Sequence, residues 1–262
     1  MSTWTKEKLN RFIKEGRGQG IGSKYVPWTK THEFASKGRA TRIHGIKTNR
    51  IHHLHSDNQL RAFFLFEWSE KVLDIRECFP LLDVMECIDN KDDLLFDKFR
   101  DKESGEPLVL TTNFVLTIRN AESKEVQITR TIKDSSEFSR QLTFEKLEIE
   151  RRYWNSKGIE WKVITEKQLP RQVHKNIEWV RTTLLDENIN INKNEYSDLL
   201  LQLLIANYEC KLADVLRKFD LMEGCSKGLG LYLFRYLIAK KKIKVDLKNK
   251  IDISSSIREL LL

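Results

Sequence analysis

Two β-rich runs sit almost back to back in this chain, Pro107–Ile118 and Glu125–Ile132, with the polar stretch Arg119–Lys124 between them. β-Branched and aromatic residues favour a pleated, half-buried surface. The intervening AESKE offers only Ala121 for burial, so the runs are predicted to form a hairpin of two adjacent strands. The segments downstream of the hairpin limit the fold class. Thr143–Asn155 is predicted as a helix, capped by Thr143 and ended by Lys157-Gly158, with Leu147, Glu150/Arg151 and Trp154 marking its stripes. Ile159–Ile164 then reads as a further strand. Hairpin, helix and strand in succession argue for an α/β layer around a mixed sheet.

The hairpin also carries a chemical pattern. Period-2 geometry puts Thr131 and Lys133 on one face of the second strand. An acid in the middle of one strand, followed by an acid or amide, one spacer and a lysine on the next, is the layout of a metal-dependent nuclease core. Here Asn113 stands where that layout wants the acid.

With 262 residues the chain is long enough for two domains, and 40% hydrophobic with 32% charged residues is a globular composition. The net charge of +8 and pI near 9.2 favour a polyanionic partner. Cys78, Cys87, Cys210 and Cys225 form no zinc-ligand spacing, and an intracellular, reduced setting is expected. Residues 1–20 do not read as a signal peptide, and no apolar run is long enough for a membrane span.

Upstream of the hairpin, Thr5–Glu15 is predicted as a short amphipathic helix. The glycine run Gly16–Gly22 has no preceding strand and no closing Gly-Lys-Ser/Thr, so it reads as a flexible, basic, extended segment rather than a phosphate loop. Lys37–His53 is a basic run in which Arg39, Arg42, Lys47 and Arg50 are candidate DNA-phosphate contacts; a solvated charged hairpin is the alternative. His52, His53 and His55 suggest a metal cluster at first sight, but adjacent strand residues point opposite ways. Ser56 is a predicted cap for a helix over Asn58–Glu67, with Gln59 at the capping-box position. Val72–Ile75 is a short apolar run, and Asp89–Lys102 an inserted loop or helix.

Pro170 and its polar surroundings suggest domains at 1–168 and 169–262. The second is mainly helical over Lys175–Leu185, Tyr196–Tyr208, Leu212–Asp220 and Leu231–Ala239, with a loop at Gly224–Gly230. Lys240–Lys250 reads as a basic alternating strand, with Ile251–Ile253 returning as its partner. Three helices followed by a basic hairpin is a winged-helix pattern, for DNA or a protein partner, with Tyr232, Arg235, Lys240 and Lys241 as contact candidates. Trp68, Trp154, Trp161 and Trp179 are assigned to packing, whereas Tyr25 and Trp28 are open to a DNA or partner role.

Long segments carry a family resemblance: Ile13–Trp28, His52–Asp57, Phe66–Trp68, Val72–Leu82, Thr111–Phe114, Phe144–Trp154 and Asn176–Val180. On these the chain resembles the TnsA family, the endonuclease subunits of Tn7-type transposons. The resemblance implies a restriction-endonuclease-like domain with a mixed sheet flanked by helices, and a second, winged-helix domain. It implies Mg²⁺-dependent cutting at the 5′ ends of the element, beside a DDE transposase that handles the 3′ ends. It also implies an AAA+ regulator engaging the C-terminal segment up to Leu262, in a nucleoid-associated complex of the bacterial cytoplasm. Carried over position by position, the family's catalytic and metal-binding Glu, Asp and Gln fall on Gln59, Asn113 and Thr131, and its Lys on Lys133.

Both acids are thus replaced by their own amides. Neutral amide oxygen is a poor ligand for Mg²⁺, and loss of both anions is expected to remove most cleavage. Carboxylate-to-amide exchange suits deliberate inactivation, although Thr131 does not look like such a swap; it equally suits a naturally degenerate, non-cutting scaffold that binds transposon ends and bridges transposase and regulator. Asp57, Glu67 and Asp74 are candidate substitute acids, while Glu122 and Glu125 are assigned to the turn.

Overall fold

A computed structural model describes residues 3–33, 39–186, 191–222 and 226–262. The chain divides into two units, Met1–Leu169 and Pro170–Leu262. Lys37 and the first residues of the Gly224–Gly230 loop lie outside the described residues.

The first unit opens with α1 (Lys6–Lys14) and a hairpin of β1 (Thr41–Gly45) and β2 (Arg50–Leu54), followed by α2 (Asp57–Trp68). Its sheet has the order β3 (Val72–Pro80), β4 (Thr111–Arg119), β5 (Glu125–Lys133), β6 (Glu160–Thr165). The first two pairings are antiparallel and the last is parallel, so the sheet is mixed. The one-turn α3 (Val84–Cys87) follows β3, and α4 (Gln141–Ser156) makes the crossover from β5 to β6. Side chains on β4 alternate between layers: Phe114 meets Phe66 of α2, while Val115 packs with Ile149 and Trp154 of α4.

Several local expectations are corrected. The predicted Val72–Ile75 run is only the start of a nine-residue strand, because alternation continues through a charged stretch whose Arg76 and Glu77 are buried. The first hairpin strand starts at Thr111, since Pro107 joins only an isolated bridge to Arg100. Thr143 lies inside α4 rather than capping it. The glycine run is a built loop, not a flexible segment. Arg17 within it is 4% exposed and pairs with Glu15 and Glu33. Gly18 has a φ of +74°, and a Cβ there would lie 2.3 Å from Pro80 Cγ. Tyr25 and Trp28 are buried, Trp28 among Trp4 and Phe12, so neither offers a contact surface.

The second unit packs α5 (Arg171–Leu185), α6 (Lys193–Ala206) and α7 (Leu212–Met222) around α8 (Leu229–Ala239), with a terminal turn α9 (Ile257–Leu260). α5 starts at Arg171, ahead of the predicted Lys175, because proline is tolerated at a helix entrance. The Lys240–Lys250 strand does not form. Val245 instead bridges to Leu261, and Lys211 to Ser256, so the wing is reduced to isolated bridges. α8 is apolar on most sides and is the core helix of the unit.

One buried network joins the first hairpin to the sheet. Glu77 on β3 accepts from both terminal nitrogens of Arg50, at 2.8 and 2.6 Å, and from the backbone N–H of His53 at 3.0 Å. His52 Nδ1 lies 2.7 Å from the same carboxylate. Burial alone would raise the Glu77 carboxyl; His52 and Arg50 outweigh it and hold it well below the usual carboxylate range. Its stabilising contribution is therefore present above the unfolded carboxylate pKa and lost as pH falls through the lower folded value. Glu77→Ala would leave Arg50 buried without its counter-charge and is expected to destabilise the first unit by roughly 3–5 kcal/mol, read from urea unfolding at neutral pH. The gap between variant and wild type should narrow as the pH is lowered below the ordinary carboxylate range.

Candidate functional site

The ladder between β4 and β5 runs from Arg119–Glu125 to Phe114–Arg130 and then stops. Just beyond it, the side chain of Asn113 takes over. Its Oδ1 accepts from the backbone N–H of Ile132 at 2.7 Å. The local geometry explains why. Asn113 falls between the pairs Glu77–Phe114 and Phe79–Thr112, where Cys78 on β3 has a φ of +49°. Thr112 and Val115 both face α4 although Phe114 faces α2, so strict alternation slips at this point. Asn113 is left in the plane of the sheet, where it stands in for the missing ladder bond.

The other edge of the site is the start of α2. Ser56 Oγ accepts from the Gln59 N–H at 3.2 Å, as a cap should. Gln59 Oε1 reaches back to the His55 N–H at 2.8 Å, one residue before the position a standard capping box uses. Asn58 Nδ2 donates to Asp134 Oδ2 at 3.4 Å, so the first turn of α2 abuts the end of β5. Lys133 Nζ pairs with Glu137 Oε2 at 3.1 Å, within the short turn Ser135–Ser139. The fold thus brings Gln59, Asn113 and Lys133 to one end of the sheet.

Thr131 does not join them in the open part of the site. It is 1% exposed, and its hydroxyl donates to Glu150 Oε2 on α4 and accepts from Trp161 Nε1 at 3.0 Å. Thr112 Oγ1 donates to the same Glu150 oxygen at 3.0 Å and accepts from Trp154 Nε1 at 2.7 Å. Glu150 Oε1 has no hydrogen-bond partner, with Lys146 Nζ 3.8 Å away. Sequence reasoning read Glu150 as a helix stripe and missed this buried knot, as it missed Asn58, Asp134 and Glu137. A carboxylate on the inward phase of a predicted helix was the available signal.

The proposed substitute acids are occupied elsewhere. Asp57 pairs with Arg39 at 3.2 Å on the surface. Glu67 is buried and accepts from the Ile46 N–H at 2.6 Å, and buried Asp74 accepts from the Gly22 N–H at 3.2 Å. Among the described residues, no group of three or more His, Cys, Asp or Glu is placed to hold a metal. Each histidine of the 52–55 run has its own hydroxyl partner: His52 with Thr48, His53 with Thr31 and His55 with Thr29. Burial pushes the Cys78 thiol up to about 12, which leaves no thiolate nucleophile beside Asn113.

The DNA-contact candidates divide in the same way. Arg50 is withdrawn, because it is buried against Glu77. Lys47 is also withdrawn: its ammonium caps the carbonyls of Ser69 and Val72. Tyr232 donates to the Thr183 carbonyl, and Arg235 binds the Trp179 carbonyl while lying 5.0 Å from that indole ring. Arg39, Arg42 and Lys240 are exposed, and Lys241 is half-buried with a φ of +57°.

Comparison with known proteins decides the lineage. Residues 69–166 match the model for the TnsA-like endonuclease N terminal, and residues 168–247 that for the TnsA endonuclease C terminal. The chain is 33% identical over 247 residues to the Escherichia coli "Transposon Tn7 transposition protein TnsA", covering 94% of this chain and 88% of that protein. The chain belongs to the TnsA family. The mixed-sheet unit is accordingly the restriction-endonuclease-like domain of that family and the helical unit its winged-helix domain.

Membership brings an association with Mg²⁺, which can be tested against the donor set. Mg²⁺ is held through carboxylates and phosphate oxygens in near-octahedral geometry. Gln59 and Asn113 carry no charge, and each amide oxygen already accepts from a backbone N–H. Thr131 turns its hydroxyl away. These side chains do not fit the ion. Asn113→Ala would leave the Ile132 N–H unpaired and is expected to cost about 1–3 kcal/mol, whereas Asn113→Asp retains the acceptor and costs little. Chemical denaturation of the two variants, with hydrogen exchange at Ile132, checks this difference.

Proposed function

We propose that this chain is the TnsA-family subunit of a Tn7-type transposition complex that binds the ends of the element but does not nick their 5′ strands efficiently as its residues stand. The Gln59 and Asn113 amides carry this reading, because neither places an anion where Mg²⁺ would act and each turns its oxygen to a backbone N–H. Lys133 supplies positive charge beside a phosphate but does not replace the ion.

In this reading the subunit is a scaffold in the bacterial cytoplasm. It contacts transposon-end DNA through exposed cations such as Arg39, Arg42 and Lys240, in keeping with the net charge of +8. It pairs with a DDE transposase, and its C-terminal segment engages an AAA+ regulator. The described part of that segment ends on α9, capped by Ser256 and Glu259, with Leu262 81% exposed. No helix among the described residues is long and apolar enough to cross a membrane.

A cleavage assay on transposon-end DNA with the partner transposase in Mg²⁺ tests the proposal. The chain as it stands should leave the 5′ strands at background, and the double variant Gln59→Glu/Asn113→Asp should raise 5′ cutting by at least about tenfold. Efficient cutting by the unchanged chain, at the level of the double variant, would sink the proposal.

A further inference from the structure

If the site does not use Mg²⁺, its geometry says what it holds instead; this step rests on the non-cutting reading. A backbone N–H can only donate, so the amide atom facing it must be oxygen. Gln59 Oε1 faces the His55 N–H at 2.8 Å and Asn113 Oδ1 faces the Ile132 N–H at 2.7 Å. The NH₂ group is therefore the free end of each side chain. Neither nitrogen has a hydrogen-bond partner among the described residues, and both side chains are only half-buried. The third group, the Lys133 ammonium, has three hydrogens, of which Glu137 takes one. A place that would collect oxygen anions around a cation has become a place that presents donors.

We propose that this end of the sheet is a metal-free phosphodiester site, which holds a backbone phosphate of uncut DNA through the amide N–H groups of Gln59 and Asn113 and the ammonium of Lys133. The neighbouring acids keep their charge but direct their oxygens into the turn. Asp134 spends Oδ1 on the N–H and hydroxyl of Ser136 and Oδ2 on Asn58. Glu137 accepts from the Asp134 N–H through Oε1 and from Lys133 through Oε2. Both carboxylates are thus tied into the turn after β5, and Lys133 keeps donors for a phosphate oxygen. Charge-assisted hydrogen bonds to phosphate are short and strong, and a phosphodiester has only acceptors to offer, so it matches a donor-only set. No bond is made or broken at such a site.

The test uses the full chain and a short DNA duplex, with affinity followed by fluorescence anisotropy in EDTA and in Mg²⁺. Asn113→Asp is the informative variant, because its Oδ1 still accepts from Ile132 while a free donor becomes an anionic oxygen. The unchanged chain should bind equally well with and without the metal. The variant should lose affinity in EDTA on the order of tenfold and regain it with Mg²⁺. Because other basic surfaces also bind DNA, a second measurement is local: the Asn113 side-chain NH₂ resonances, assigned by their absence from N113D, should shift when the duplex is added in EDTA. Equal affinity of variant and unchanged chain in EDTA, or resonances that stay still at saturating duplex, overturns the phosphate site. Cutting by the unchanged chain in Mg²⁺ instead overturns the non-cutting reading beneath it, so the two failures are distinguishable.

Discussion

The carboxylate of Glu77 is the joint on which the first unit hangs. It sits on β3 opposite Phe114, the neighbour of Asn113, and gathers Arg50, His52 and the His53 N–H from β2. Only His55 separates the end of that strand, Leu54, from Ser56, the cap of α2. Where β2 is pinned, the start of α2 is therefore pinned too, and with it Gln59. A fully buried charge is costly unless it is paired and hydrogen-bonded. The network thus tolerates little displacement of the hairpin and holds both edges of the site in register.

Within that frame, an amide at Gln59 and at Asn113 is structurally quiet. An amide keeps the shape of a carboxylate and one of its acceptor oxygens. The bonds to His55 and Ile132 use that oxygen, so the turn before α2 and the end of the β4–β5 ladder remain satisfied. Both side chains are uncharged and turn their NH₂ groups outward. The Thr131–Glu150–Thr112 knot behind the strand end belongs to the other layer, where Trp154 and Trp161 close over it. Threonine at position 131 therefore serves the packing of α4 on the sheet rather than the open side.

Elements with a strong period were legible. The β4–β5 hairpin, α4 and β6 follow from alternation and helical spacing, and the cap at Ser56 follows from its side-chain chemistry. The failures share a cause. β3 was read as too short because Arg76 and Glu77 look like surface residues until partners from distant segments bury them. Arg50 and Lys47 looked like phosphate contacts for the same reason. The basic stretch after α8 alternates like a strand, yet its pairing runs from Val245 to Leu261 rather than to Ile251–Ile253.

Residue types alone were enough to set Asn113 and Lys133 in a nuclease-like pattern with an amide where its acid is expected, whereas the position of Gln59 came only from the family resemblance. They also carried the α/β character of the first unit, since periodicity is local. Which atom of each amide faces outward was a matter for the folded chain. It depends on two backbone N–H groups, one just beyond the β4–β5 ladder and one before a helix. Neither donor can be placed until β3, β4, β5 and α2 have packed together, so the outward turn of each NH₂ is fixed only in three dimensions.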